Sequence, residues 1–217
     1  MILVERIEQI VRAQFAEDAS GHDWFHIERV WNMAKYLHSQ EGGDLEVIEL
    51  AALLHDISDH KLNGGKLNDG GNVARQLLLE EGAPEALASR VASIIDRVSF
   101  KGANVKDEME SLEGKIVQDS DRLDAIGAIG IARTFAYGGH NAQPMYDPRI
   151  QATMHDSFEA YASSKTSTIH HFYEKLLLLT SRINTEAAKK IAQERHQFME
   201  RYLSQFFHEW NFNTTNA

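Results

Sequence analysis

The sequence predicts a single all-helical domain, and three observations carry that expectation. Among 217 residues only 3 are proline, and the 14 glycines gather mostly in short clusters, so long helices are permitted nearly everywhere. Apolar residues recur at helical spacing over most of the chain. Val, Ile and Thr nowhere alternate with polar residues over a long stretch, which leaves strands without support.

A first amphipathic helix is expected from about residue 2 to 15, with Ile2, Ile7, Ile10, Val11 and Phe15 inward. Ser20-Gly21 breaks it, and Asp23 is placed to cap a second helix over about 24–39, whose stripe is Ile27, Val30, Trp31, Ala34 and Leu37. Gly42-Gly43 ends that helix, and Asp44 caps a third that runs to about His55. Residues 58–71 are polar and glycine-rich and read as a loop. Helices follow over about 73–81 and 84–98, with Pro84 in a first-turn position. Residues 100–107 read as another loop, and 112–135 as helix with a break near Asp119–Asp121. Small residues at Ala125, Gly127, Ala128, Gly130 and Ala132 invite close approach by another helix. Gly138-Gly139 opens an irregular region through Pro144 and Pro148, and two helices close the chain, about 155–182 with an interruption and about 186–210. The Met and aromatic residues of the last one (Phe198, Met199, Tyr202, Phe206, Phe207, Trp210) read as core packing. No repeat, low-complexity segment or linker divides the chain, so residues 1–217 read as one unit.

Composition narrows the function classes. Hydrophobic content is 43%, enough for a real core. The formal net charge of -10 argues against a nucleic-acid polymer or an anionic membrane surface as partner. It leaves room for a small phosphorylated substrate, because a bound divalent cation supplies positive charge locally. Cysteine is absent, which excludes disulfides, thiolate metal sites and cysteine nucleophiles. The N-terminus becomes charged at Glu5-Arg6, too soon for a signal peptide, and no apolar run reaches spanning length, so a cytoplasmic location is the expectation. The oligomeric state is not legible; a dimer is compatible with everything above.

One feature points to chemistry. The run Val47-Ile48-Glu49-Leu50-Ala51-Ala52-Leu53-Leu54 reads as a helix buried almost all round, and it ends in His55-Asp56. An imidazole and a carboxylate there are costly without partners, and a metal ion partners both. The dipeptide His-Asp alone is weak evidence, since it recurs at His22-Asp23 and His155-Asp156. The chain adds matching ligands on either side, His26 upstream and Asp121 downstream, with Asp119 competing for the second place.

This ordered set resembles the HD-domain metal-dependent phosphohydrolases. The resemblance rests on His26 in His26-Ile27-Glu28-Arg29-Val30, on Leu53-Leu54-His55-Asp56, and on Asp121 in Ser120-Asp121-Arg122-Leu123. It implies that His26, His55, Asp56 and Asp121 hold one divalent cation, and it prefers Asp121 over Asp119. Further blocks, residues 21–26, 121–130 and 171–176, are similar to small bacterial HD proteins in which the domain and its C-terminal helices make up nearly the whole chain. Some of those are nucleotide pyrophosphohydrolases. The implied fold is a single HD-type helical bundle, with a metal-binding core over about 20–135 and a C-terminal helical elaboration over about 147–212. Two imidazoles with two carboxylates form a borderline-to-hard site suited to Mn, Fe, Co, Ni or Mg, with positions left for water and phosphate oxygen. His60 is the only histidine between Asp56 and Asp121, which favours one metal over two.

Around these ligands, Asp59 stands where related hydrolases carry an acid, more often Glu, that orients or deprotonates the attacking water. His22 and Arg29 share a helical line with His26 and are candidates for phosphate or for developing charge. Lys61, with Lys66, is a candidate phosphate contact in the loop; Arg122, next to Asp121, and Asp124, one turn further on, are candidates to orient metal ligands, and Arg122 is also a candidate substrate contact; Arg133, a further substrate candidate, precedes a glycine turn suited to folding over a ligand. His171, Lys175 and Arg182 form a cationic line suited to a triphosphate tail, with a solvated charged face as the plain alternative. The expected activity is cleavage of a nucleoside triphosphate to monophosphate and pyrophosphate, with phosphomonoesterase or phosphodiesterase action as runners-up, and a non-catalytic nucleotide sensor as the rival class. No Gly-x-Ser-x-Gly turn or P-loop is present, which removes serine-hydrolase and P-loop NTPase readings.

Overall fold

In the computed structural model, residues 2–16, 23–57, 69–100, 105, 108–153 and 166–212 are described, and among them the chain is helical with no strand. Seven helices come first: α1 (Leu3–Gln14), α2 (Trp24–Glu41), α3 (Leu45–Leu54), α4 (Gly70–Glu80), α5 (Glu85–Val98), α6 (Leu112–Asp124) and α7 (Gly127–His140). A composite segment, α8, starts as Thr168–His171, widens into a π-turn at Phe172–Leu176, and closes as Leu177–Leu179 and the 3-10 turn Thr180–Arg182. The last helix, α9, is Glu186–Trp210.

The architecture follows from α3. Val47, Ile48, Leu50, Ala51, Ala52, Leu53 and Leu54 are all fully buried, so this helix has no solvent face worth the name. Each large side chain among them contributes about 2 kcal/mol of burial. Neighbours must therefore wrap it, and α1, α2, α5 and α6 all pack against α3. Helix α2 also packs on α6, which brings three ligand-bearing elements side by side. Asp23 caps α2 by accepting from the His26 backbone N–H at 2.9 Å, and Asp44 caps α3 by accepting from Val47 at 3.4 Å. Both caps stand where the sequence places them.

Five expectations need correction. Helix α4 begins at Gly70, three residues before the apolar pattern does, because Asp96 on α5 accepts from the Gly71 N–H at 3.0 Å and supplies the missing cap. The break expected near Asp119–Asp121 falls instead at Ala125–Ile126. Ser120 is helical, its hydroxyl donating to the Ile116 carbonyl at 2.7 Å, while Gly127 turns the chain with φ +76. A Cβ on Gly130 would lie 2.2 Å from the Ala125 carbonyl oxygen, so the small residues here serve the chain's own turn as well as a neighbouring helix. Gly138 and Gly139, expected to open the irregular region, belong to the last turn of α7. Ile2, assigned inward, is exposed as the residue that precedes α1. On α9, Met199 is buried and Tyr202, Phe206 and Phe207 pack against the core, whereas Phe198 and Trp210 are exposed. No helix among the described residues is long and apolar enough to cross a membrane.

Candidate metal centre

Two histidines from different helices meet at one point. His26 lies on the buried face of α2 and is wholly enclosed. His55 is the C-cap residue of α3, still in helical conformation, and its Nδ1 stands 2.8 Å from the Ala52 carbonyl oxygen. A carbonyl only accepts, so that nitrogen carries the proton and Nε2 is left with its lone pair. The Nδ1 of His26 stands 2.7 Å from Asp124 Oδ2, which likewise leaves Nε2 of His26 facing inward. The two Nε2 atoms are 3.2 Å apart.

Two carboxylates complete the cluster. Asp56 Oδ2 lies 3.3 Å from His26 Nε2 and 3.5 Å from His55 Nε2. Asp121 Oδ1 lies 3.6 Å and 3.8 Å from the same two atoms. Both carboxylates are partly solvent-accessible, unlike the imidazoles, so one side of the cluster is open. His26, His55 and Asp56 offer donor atoms that all lie within 4.8 Å of one another.

The donors fit a divalent cation. Two ring nitrogens 3.2 Å apart need a positive centre between them, a proton on His26 or a cation that takes its place. At that separation both Nε2 atoms are close enough for one divalent cation to be held by the two imidazoles. The local field is negative enough to demand a positive charge. Burial pushes the His26 pKa down, yet the carboxylates of Asp124 and Asp56 outweigh it and hold it up at about 9. The absence of thiolates and the open side speak for a reactive centre rather than a closed structural one.

Behind the cluster, Asp124 gathers cations. Its carboxylate accepts from Arg29 Nε at 2.7 Å and Arg29 Nη2 at 3.0 Å, from Arg133 Nη1 at 2.9 Å, and from His26. Burial alone would raise the pKa of Asp124, but donation from His26 and Arg29 overrides it and holds the group well below the usual carboxylate range. The sequence offers Asp124 as a residue that orients metal ligands, without naming the ligand it touches or its arginine partners. Its spacing of three from Asp121, on a helix without the expected break, was the available signal.

The remaining candidates are placed as follows. Asp119, the competitor of Asp121, is turned away from the histidines. It accepts from the backbone N–H groups of Asn184 and Thr185 at 2.9 and 2.8 Å, and from the side chains of both. It thus ties α6 to the start of α9, a role that 65 residues of separation kept out of local view. Arg122, read as a substrate contact, is buried and donates to the Arg182 carbonyl. Arg29 and Arg133 are held on Asp124. Lys175 lies in the π-turn of α8, where the charges of Asp121, Arg133, Asp56 and Arg122 act on it; burial, the largest influence, lowers its pKa. His171, one turn earlier, has its pKa drawn down to about 3 by burial and by the charge of Lys175, which disfavours the cationic form the expected line assumes. His22, Asp59, Lys61 and Lys66, with His60 and His155-Asp156, lie outside the described residues.

A helical core that wraps one apolar helix, with two histidines and two aspartates converging at its inner end, defines the HD class. The HD-domain family profile matches residues 24–126. The chain belongs to the HD-domain metal-dependent phosphohydrolase superfamily. It is 40% identical over 202 residues to the uncharacterised protein YpgQ of Bacillus subtilis, covering 93% of this chain and 90% of that one. A crystal structure from Lactobacillus plantarum superposes with a TM-score of 0.86 at 36% identity, over 97% of this chain and 99% of the other. An HD-superfamily hydrolase from Bacillus thuringiensis gives 0.72 at 43% identity, with 96% of each chain covered. The structure of Bacillus subtilis YpgQ in complex with ADP gives 0.73 at 36% identity, over 95% of this chain and 97% of that one.

Proposed function

We propose that this protein hydrolyses a nucleoside triphosphate to monophosphate and pyrophosphate at a single divalent cation held by His26, His55, Asp56 and Asp121. The observation that carries the proposal is the convergence of these four side chains, with both carboxylates within 3.3–3.8 Å of the histidine nitrogens and reachable from solvent. The nucleotide part is supported by the ADP complex of the Bacillus subtilis relative. The whole chain acts as one HD-type unit, with residues 20–135 as the metal-binding core and 147–212 shaping the substrate end.

Each side chain has a definable task. His26 and His55 present neutral Nε2 lone pairs, and Asp56 and Asp121 balance the charge of the ion. When bound, the cation supplies Lewis acidity toward a phosphoryl oxygen and lowers the pKa of water, and Mn, Ni, Co, Fe and Mg all suit the donor set. Asp59 orients the attacking water and takes its proton. Arg29 and Arg133 stabilise negative charge on the phosphate oxygens during in-line displacement, and Lys175 holds the triphosphate tail. His22 and Lys61 extend the phosphate contacts, and neutral His171 adds a hydrogen bond.

The test is turnover on a panel of nucleoside tri-, di- and monophosphates and phosphodiesters with Mn, read by product. Pyrophosphate from a triphosphate is the expected result. Orthophosphate alone would move the reading to a phosphomonoesterase, and tight nucleotide binding without turnover would move it to a sensor.

A further inference from the structure

We propose that Asp124 is the positioning residue of this centre: one carboxylate that dictates which nitrogen of His26 is free for the cation and holds the guanidinium groups of Arg29 and Arg133 beside it. The inference rests on the metal-hydrolase reading above.

The geometry is specific. Asp124 is 6% exposed and ends α6, one turn after Asp121. An ionised carboxylate only accepts, through about four lone-pair directions. Four donors fill them: His26 Nδ1, Arg29 Nε, Arg29 Nη2 and Arg133 Nη1, at 2.7, 2.7, 3.0 and 2.9 Å. They come from two other helices, His26 and Arg29 from α2 and Arg133 from α7. With Asp124 ionised, the proton of a neutral His26 must sit on Nδ1. That leaves the Nε2 lone pair directed at His55 Nε2, Asp56 and Asp121. Such an outer carboxylate fixes tautomer and ring orientation and raises the basicity of the ligand nitrogen. The same carboxylate restrains two arginines that would otherwise sample many rotamers, so the guanidinium groups are already placed when a phosphate arrives. The two guanidinium groups partly offset the carboxylates of Asp56, Asp121 and Asp124 on the side where an anionic substrate would enter.

A plain buried ion pair would hold the helices together and do nothing else, and the experiment separates the two roles. Asp124→Asn keeps the shape but offers one acceptor oxygen, and its amide N–H groups face the existing donors. Mn affinity of the full chain, measured by titration calorimetry, is expected to fall about 10- to 100-fold. Asp119→Asn, an equally enclosed carboxylate that serves the start of α9, is the control and should keep the wild-type Mn constant. An Asp124→Asn protein that folds and binds Mn like wild type overturns the proposal, even if its melting temperature drops. Should the variant not fold, the unmodified protein loaded with Zn answers by nitrogen-15 NMR of its histidines. A proton on Nδ1 of His26 supports the assignment, and a proton on Nε2 overturns it. Neither readout uses a nucleotide. A protein that binds Mn through this arrangement yet turns over nothing on the panel would therefore sink the hydrolase reading and leave the role of Asp124 standing.

Discussion

The two faces of α6 use the same residue type for opposite ends. On the face toward residues 182–185, Asp119 sits fully buried with four donors from Asn184 and Thr185, and Gln118 accepts from Asn184 while donating to the carbonyls of Arg97 and Val98. Every acceptor there is spoken for by groups that cannot leave. On the face toward α2, Asp121 has oxygens within reach of two imidazoles and of solvent. Asp124, one turn on, orients its neighbours. Burial with complete satisfaction makes a strut. Chemistry needs a carboxylate whose partners are themselves short of a positive charge.

The sharpest way to break this contrast is Asp121→Ala. It should abolish metal binding and with it activity, a loss on the order of a thousandfold or more, since a cation supplies several kcal/mol to the transition state. Metal content of the desalted protein decides; full occupancy would return the ligand role to another carboxylate. Asp119→Ala probes the opposite face. It orphans buried donors at the start of α9, so stability should fall by about 3 kcal/mol, read from urea unfolding, while metal affinity per folded molecule stays put. If instead metal is lost with little destabilisation, the division between the faces fails.

Gly130→Ala strikes the hinge that follows both faces. A Cβ 2.2 Å from the Ala125 carbonyl must displace backbone, at a cost of about 2 kcal/mol, and thermal melting measures it. Activity per folded molecule should drop as well, because Asp124 and Arg133 stand on either side of that turn. Lys175→Met has the smallest expected effect. Removing one charged contact to phosphate should raise the KM for a triphosphate about tenfold with metal affinity unchanged. A fall in kcat alone would place Lys175 at the reacting phosphorus instead of on the tail.

Much of the fold was legible because helices announce themselves locally. The apolar stripe of α2, the all-apolar α3 and the full span Glu186–Trp210 follow from spacing and caps within a few residues of each element. The misplaced boundaries share one cause, a partner distant in sequence. Asp96 starts α4 from 25 residues away, and the early end expected for α6 is overridden by tertiary contacts on both its faces. The same holds at the centre. His55-Asp56 was conspicuous because a buried helix ended in polar groups. The hub at Asp124 was not, because its donors lie 95 and 98 residues upstream and 9 downstream.

The order of residues along the chain determined that this protein is helical, that one apolar helix would be wrapped by others, and that His55-Asp56 at its end had no cheap alternative to a cation. Those conclusions need only local periodicity and the cost of burying polar groups. Only the folded arrangement decided which aspartate faces the histidines and which caps α9, and that Arg122 reaches the Arg182 carbonyl. Acceptor oxygens are identical in sequence; what separates them is the set of donors that packing brings within 3 Å.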